Sequence, residues 1–148
     1  MRSLVFVAAI AFPAAALAQA DVALEVAGRK IQASGAGECK AAPQASIYGV
    51  NAALFMVSQN VPNKQTLNLS VWQPKDGSPG MLSFRLWDGK NTYTVDTVKG
   101  GSKKDTKGSG NATVSGTTIT LDAVAASGEK ITGRIQCRSF GGIRAEGG

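Results

Sequence analysis

Histidine is missing altogether, cysteine occurs twice, and aromatic residues make up 6% of the 148-residue chain. Without imidazole there is no Ser-His-Asp or Cys-His pair, no histidine-held metal and no histidine proton switch. Cys39 and Cys137 are too far apart in sequence for a Cys-x-x-Cys redox motif, and no second cysteine pair exists to complete a zinc site. The nucleophile-elbow pattern Gly-x-Ser-x-Gly is absent. Neither Gly35-x-Gly37 nor Gly108-x-Gly110 continues to the third glycine or lysine of a phosphate-binding loop. A calcium loop would need a run such as Asp-x-Asp-x-Asp, which does not occur.

Carboxylate chemistry is the remaining catalytic route, since a glycosidase needs only two acids facing each other across a cleft. Asp76, Asp88, Asp105 and Glu129 lie in or beside predicted turns, where turn preference and solvation explain them. Asp96 and Asp122 fall within or at the end of predicted strands, on wet faces or edges. The chain therefore reads as non-enzymatic and free of cofactors and metals, with a carboxylate enzyme as the outlying alternative.

Long apolar runs are absent after the first twenty residues. Arg2 followed by the apolar stretch Leu4 to Leu17 has the form of a cleaved export signal, and both Ala16-Leu17-Ala18 and Ala18-Gln19-Ala20 satisfy the small-x-small rule, placing the cut after Ala18 or Ala20. The stretch is too short to span a bilayer. The first cysteine is residue 39, so no lipid anchor is expected. Residues 1–20 are read as the signal, 21–138 as one domain and 139–148 as a flexible glycine-rich tail. Loss of Arg2 leaves fifteen Lys and Arg against ten Asp and Glu. Export, to the periplasm or beyond the cell, exposes the chain to oxidation, and a Cys39–Cys137 disulfide is the economical pairing.

Glycine is plentiful: all eighteen lie beyond residue 20 and break the chain at intervals typical of all-β sandwiches and barrels. Val22, Leu24 and Val26 alternate with Ala23 and Glu25. Lys30 to Ser34 is a second short strand. Leu67, Leu69 and Val71 alternate with Asn68, Ser70 and Trp72, and Leu82, Phe84 and Leu86 with Ser83, Arg85 and Trp87. Asp88-Gly89 signals a two-residue hairpin that pairs Phe84 with Tyr93 and Leu82 with Val95. Ile119, Leu121 and Ala123, then Ile131, Ile135 and Cys137, line one face of the last two strands. Residues 45–58 admit a helix or two strands joined by Gly49 to Ala52; Gly49 and Asn51 weigh against the helix. Residues 99–110 contain no apolar side chain and read as a mobile loop. The expected fold is an all-β antiparallel sandwich of about seven to nine short strands, clipped by one disulfide.

Gly37-Glu38-Cys39, Ser46-Ile47-Tyr48-Gly49, Gly108-Ser109-Gly110-Asn111-Ala112-Thr113 and Ile131-Thr132-Gly133 closing on Cys137 resemble segments of the small secreted antigens of the mycobacterial nineteen-kilodalton lipoprotein type. The likeness spans most of residues 30–137. It implies a disulfide-clipped β-sandwich of the cell envelope without assigned enzymatic activity and with roles in adhesion and host recognition. This chain lacks that family's lipidation cysteine, so roles that depend on the lipid do not carry over.

Two features point to binding. Lys99, Lys103, Lys104 and Lys107, with one aspartate among them, form a basic cluster suited to polyanions by counterion release. It lacks the arginine and interleaved aromatics of a dedicated nucleic-acid surface. Strand alternation turns Trp72 and Trp87 outward with Met81 and Arg85, and exposed aromatic surface marks binding patches. Asn68-Leu-Ser70 and Asn111-Ala-Thr113 match glycosylation acceptors, idle if the alanine-rich leader is bacterial. The expectation is a binding or adhesion protein for an anionic envelope polymer or another envelope protein. The alternative is a periplasmic carrier of a small apolar ligand held in a cavity between the sheets.

Overall fold

The computed structural model describes residues 20–35, 37–61, 65–100 and 105–143. It is a β-sandwich of a five-stranded and a six-stranded sheet. The strands are β1 (Ala20–Val26), β2 (Arg29–Gly35), β3 (Gly37–Ile47), β4 (Val50–Val61), β5 (Gln65–Pro74), β6 (Met81–Trp87), β7 (Thr92–Asp96), β8 (Ser109–Ser115), β9 (Thr118–Val124), β10 (Lys130–Cys137) and β11 (Gly141–Gly142). One sheet has the order β2-β1-β10-β9-β8 and the other β11-β3-β4-β5-β6-β7.

Period-two alternation builds the interface. Val22, Leu24, Val26, Ile119, Leu121, Ile131 and Ile135 of the first sheet meet Leu67, Leu69, Val71, Leu82, Phe84 and Leu86 of the second, all buried. Burying one face of each sheet supplies the main favourable term, roughly 25 cal/mol per Å² of apolar area. Gly133, at the centre of β10, permits the close approach of β1: a Cβ there would lie 2.2 Å from the Ala23 carbonyl oxygen.

Several expectations are corrected. Residues 45–58 are strand, but β3 and β4 are joined by Tyr48-Gly49 alone, and β3 begins at Gly37. A register shift between Ala42 and Ala45 accommodates Pro43, which has no N–H to give to a ladder. The Asp88 hairpin pairs Phe84 with Val95 and Leu86 with Tyr93, two residues out from the expected register. Both registers put the same side chains inward; the longer loop wins because Asp88 caps it. Its Oδ1 accepts the amides of Lys90 (2.9 Å) and Asn91 (2.6 Å). Within 99–110, Ser109 and Gly110 open β8 and Lys107 pairs with Asp96, whereas 101–104 lie outside the described residues. Ala20, allotted to the leader, begins β1 and is 1% exposed; its carbonyl accepts the side-chain amide of buried Gln59. The early tail is engaged too. Gly141–Gly142 run parallel to β3, and Phe140 meets Phe55 edge-on with ring centroids 5.2 Å apart.

Two ties cross the sandwich. Cys39 of β3 and Cys137 of β10 form a disulfide with Cα atoms 6.1 Å apart, 98 residues apart in sequence. At the end of β2, Arg29 forms an ion pair with Asp88 in the β6–β7 loop and donates to the Tyr93 hydroxyl at 2.7 Å. Tyr93 in turn donates to Asp88. The Asn91 amide, then Arg29, hold the Asp88 carboxyl far below the usual carboxylate range.

Cys39→Ser with Cys137→Ser should lower stability by about 4 to 5 kcal/mol on the chain-entropy account of a loop this long, read as a lower denaturant midpoint; an unchanged midpoint would show that the bridge constrains little. The depressed Asp88 pKa means its stabilisation is present above the unfolded value near 4 and fades as pH falls toward the folded one. Asp88→Asn should therefore cost about 2 kcal/mol at pH 7 and flatten the acid limb of a plot of stability against pH. Parallel acid limbs in the two proteins would refute this.

Candidate functional site

The outer face of the six-stranded sheet is read directly from the strand register. At one end Ala42, Leu54, Trp72 and Met81 are successive neighbours across β3, β4, β5 and β6. The next row is Lys40, Met56, Ser70, Ser83 and Asp96, and the one beyond it Glu38, Ser58, Asn68, Arg85 and Thr94. The far row is Asn60, Thr66, Trp87 and Thr92. Both tryptophans thus lie on one face, as alternation requires. β6, seven residues long, sets their rows about 20 Å apart, so they do not form one patch. Trp87 is 39% exposed, Trp72 and Met81 are half-buried, and Arg85 is exposed.

Between the tryptophan rows lies a groove of about 410 Å³, lined by Lys40, Met56, Asn68, Ser70, Ser83 and Arg85 among others. Glu38 neutralises Lys40 at 2.8 Å. Cross-strand neighbours place Arg85 between Asn68 and Thr94. The groove therefore offers hydroxyls, an amide and a guanidinium, with an indole beyond each end.

A second concavity, of about 570 Å³, lies where the β3–β4 turn, the β5–β6 loop and the β7–β8 connection converge. Ile47, Tyr48, Val50, Pro74, Pro79 and Met81 supply its apolar wall, and Ser78, Thr97, Lys99, Thr106 and Ser109 its polar one. In the β5–β6 loop the Ser78 amide donates to Asp76 at 2.9 Å. Ser78, through its hydroxyl first and its amide second, pulls the Asp76 carboxyl below its ordinary pKa.

The basic cluster is only partly brought into view. Lys99 lines the second concavity, Lys107 is exposed beside Asp96, and Lys103 and Lys104 lie outside the described residues. Structure thus joins Lys99 and Met81, one from each sequence-predicted group, to Tyr48, which sequence reasoning passed over. Tyr48 sits in a Tyr-Gly turn, and the signal that marks it is a bulky residue where Asn is favoured.

Three of the carboxylates have structural partners: Asp88 is held in its clamp, Asp122 pairs with Lys130 at 3.8 Å, and Asp96 accepts the Val98 amide at 3.1 Å, whereas Glu129 Oε2 is buried without a hydrogen-bond partner among the described residues. Among the described residues no group of three or more His, Cys, Asp or Glu is placed to hold a metal ion, and no helix is long and apolar enough to cross a membrane. No protein-family model, curated protein or solved structure matches the chain.

The unequal exposure of the two indoles gives a direct measurement. A Trp72→Phe variant, reporting Trp87 alone, should be quenched by acrylamide more steeply and emit further to the red than a Trp87→Phe variant reporting Trp72. Equal quenching would contradict the placement of these side chains.

Proposed function

We propose that the protein is an exported, non-catalytic binding protein that adheres to an anionic polysaccharide of the cell envelope through the outer face of its six-stranded sheet. The observation that carries this reading is the order of the rows on that face: indole, hydroxyl, amide and guanidinium, indole. The C–H-rich face of a sugar ring packs on an indole, its hydroxyls exchange hydrogen bonds with Ser and Asn side chains, and a planar guanidinium takes a carboxylate or sulfate in bidentate fashion. A ligand that uses both tryptophan rows must reach across about 20 Å, which favours a polymer over a small molecule.

Export is supported by the composition of the first twenty residues and by the disulfide, which suits an oxidising compartment. Of the two cut sites, the one after Ala18 keeps Ala20, which pairs with Cys137 and Gly35 in β1, in the exported chain. The roles implied by the resemblance to the mycobacterial antigens, adhesion and host recognition, are of the same kind. The carrier alternative finds less support: it needs space between the sheets, where Phe84, Leu67, Leu69, Ile119 and Ile131 are fully buried against one another.

Affinity electrophoresis through gels containing heparin or alginate, with dextran as the neutral control, tests the reading. Trp87→Ala and Arg85→Ala should each weaken binding to the anionic polymers about 5- to 30-fold, on the order of 1 to 2 kcal/mol, and raised salt should weaken the wild type. Both side chains are exposed, so the melting temperatures should barely change. Unaltered retardation of the double variant would remove the sheet face from consideration.

A further inference from the structure

The concavity at the loop end differs in chemistry from the sheet face. At about 570 Å³ it falls in the range of small-ligand sites, roughly 300 to 1,000 Å³. Its walls divide into an apolar side, with Tyr48, Pro79 and Met81, and a polar side, with Thr97, Thr106 and Lys99. Among the described residues that line it, Lys99 is the one that carries a charge. A mainly apolar lining that, among the described residues, carries a cation and no anion is complementary to a molecule with a negative group on an apolar body.

Tyr48 supplies a second, independent observation. It sits in a two-residue turn with Gly49 in which both φ angles are positive, 50° and 81°. That conformation favours Asn at the first position and is uncommon for a bulky residue. The turn at Ala27-Gly28 has the same pattern of φ, 52° and 74°, and carries only a methyl group. Tyr48 is no core residue, since it is 51% exposed. Its ring instead reaches across to the β7–β8 connection. A Cβ added to Gly100 would lie 2.4 Å from Tyr48 Cδ2, so the aromatic ring rests on the bare backbone next to Lys99. An unfavourable backbone conformation is thus occupied by a side chain that lines a cleft beside Lys99, which is where stored strain marks function.

We propose that this cleft is a binding site for a small amphipathic anion, an alkyl or aromatic body bearing one carboxylate or sulfonate. The body packs between Tyr48 and Met81, and the charged group pairs with Lys99. This site meets the polysaccharide face at Met81, and its binding does not depend on that reading.

Decanoate and naphthalene-1-sulfonate, titrated calorimetrically into the full exported chain, are suitable probes, with decanol as the uncharged control. Saturable one-to-one binding of at least one anion is expected. Lys99→Gln should weaken that anion about tenfold and leave decanol unchanged. Tyr48→Asn separates structure from function, because Asn suits the turn: the melting temperature should hold or rise while affinity for the anion falls at least tenfold. Trp87→Ala should bind the anion as the wild type does, and Tyr48→Asn should bind heparin as the wild type does, so failure of either reading leaves the other standing. The proposal is overturned if neither anion binds saturably, if both cleft variants bind like the wild type, or if anionic phospholipid vesicles are bound while the free anions are not.

Discussion

Two sheets with one apolar face each have a single economical arrangement, and the filled interface that results governs where anything else can happen. The largest buried side chains, Phe84, Leu67, Leu69, Leu86, Ile119, Leu121, Ile131 and Ile135, come from both sheets and meet along the interface. Protein interiors packed this way resemble crystals more than liquids. Any ligand site is therefore displaced to the outside, onto the sheet's wet face and the loops at its end. Both concavities described above are found there, and both are built from residues that alternation or turn chemistry excludes from the core.

The same alternation made much of the fold legible. The strands around Val22, Leu67, Leu82, Ile119 and Ile131, the disulfide and the outward tryptophans all follow from period two and from residue type. Register was less legible. An Asp-Gly pair argues for a two-residue hairpin, yet Asp88 serves several donors at once: two loop amides, Arg29 and Tyr93. Arg29 is 59 residues away in sequence, and no local pattern reveals that partner. Tertiary demand on one carboxylate thus widens the turn, while the unchanged parity of the register leaves the core intact. A local irregularity likewise carries β3 through Pro43.

The two candidate surfaces divide along the same line. Trp72, Trp87 and Arg85 belong to regular strands, so their face could be read from their neighbours. The cleft could not, because Tyr48, Pro79 and Lys99 come from three separate connections and meet only when the sandwich is closed. Of the lysine cluster, Lys99 lines the cleft and Lys107 lies beside Asp96, while Lys103 and Lys104 lie outside the described residues.

The placement of the ties gives this division a physical logic. Asp88 lies in the β6–β7 loop, and Gln59, near the end of β4, reaches Ala20 of the opposite sheet; antiparallel connectivity puts both at the same end of the six-stranded sheet. Tyr48, the β5–β6 loop and the start of the β7–β8 connection occupy the other end. The charge-assisted hydrogen bonds that cross between the sheets at Asp88, worth about 1.5 to 3 kcal/mol each, lie away from the cleft, and the disulfide adds a second tie between the sheets. A domain secured at one end can carry a left-handed tyrosine at the other, because the cost of that conformation, about 1 to 3 kcal/mol, falls on a turn whose distortion does not propagate into the packed interface. The Asp88 clamp and the cleft thus lie at opposite ends of the same strands, with the outer sheet face running between them.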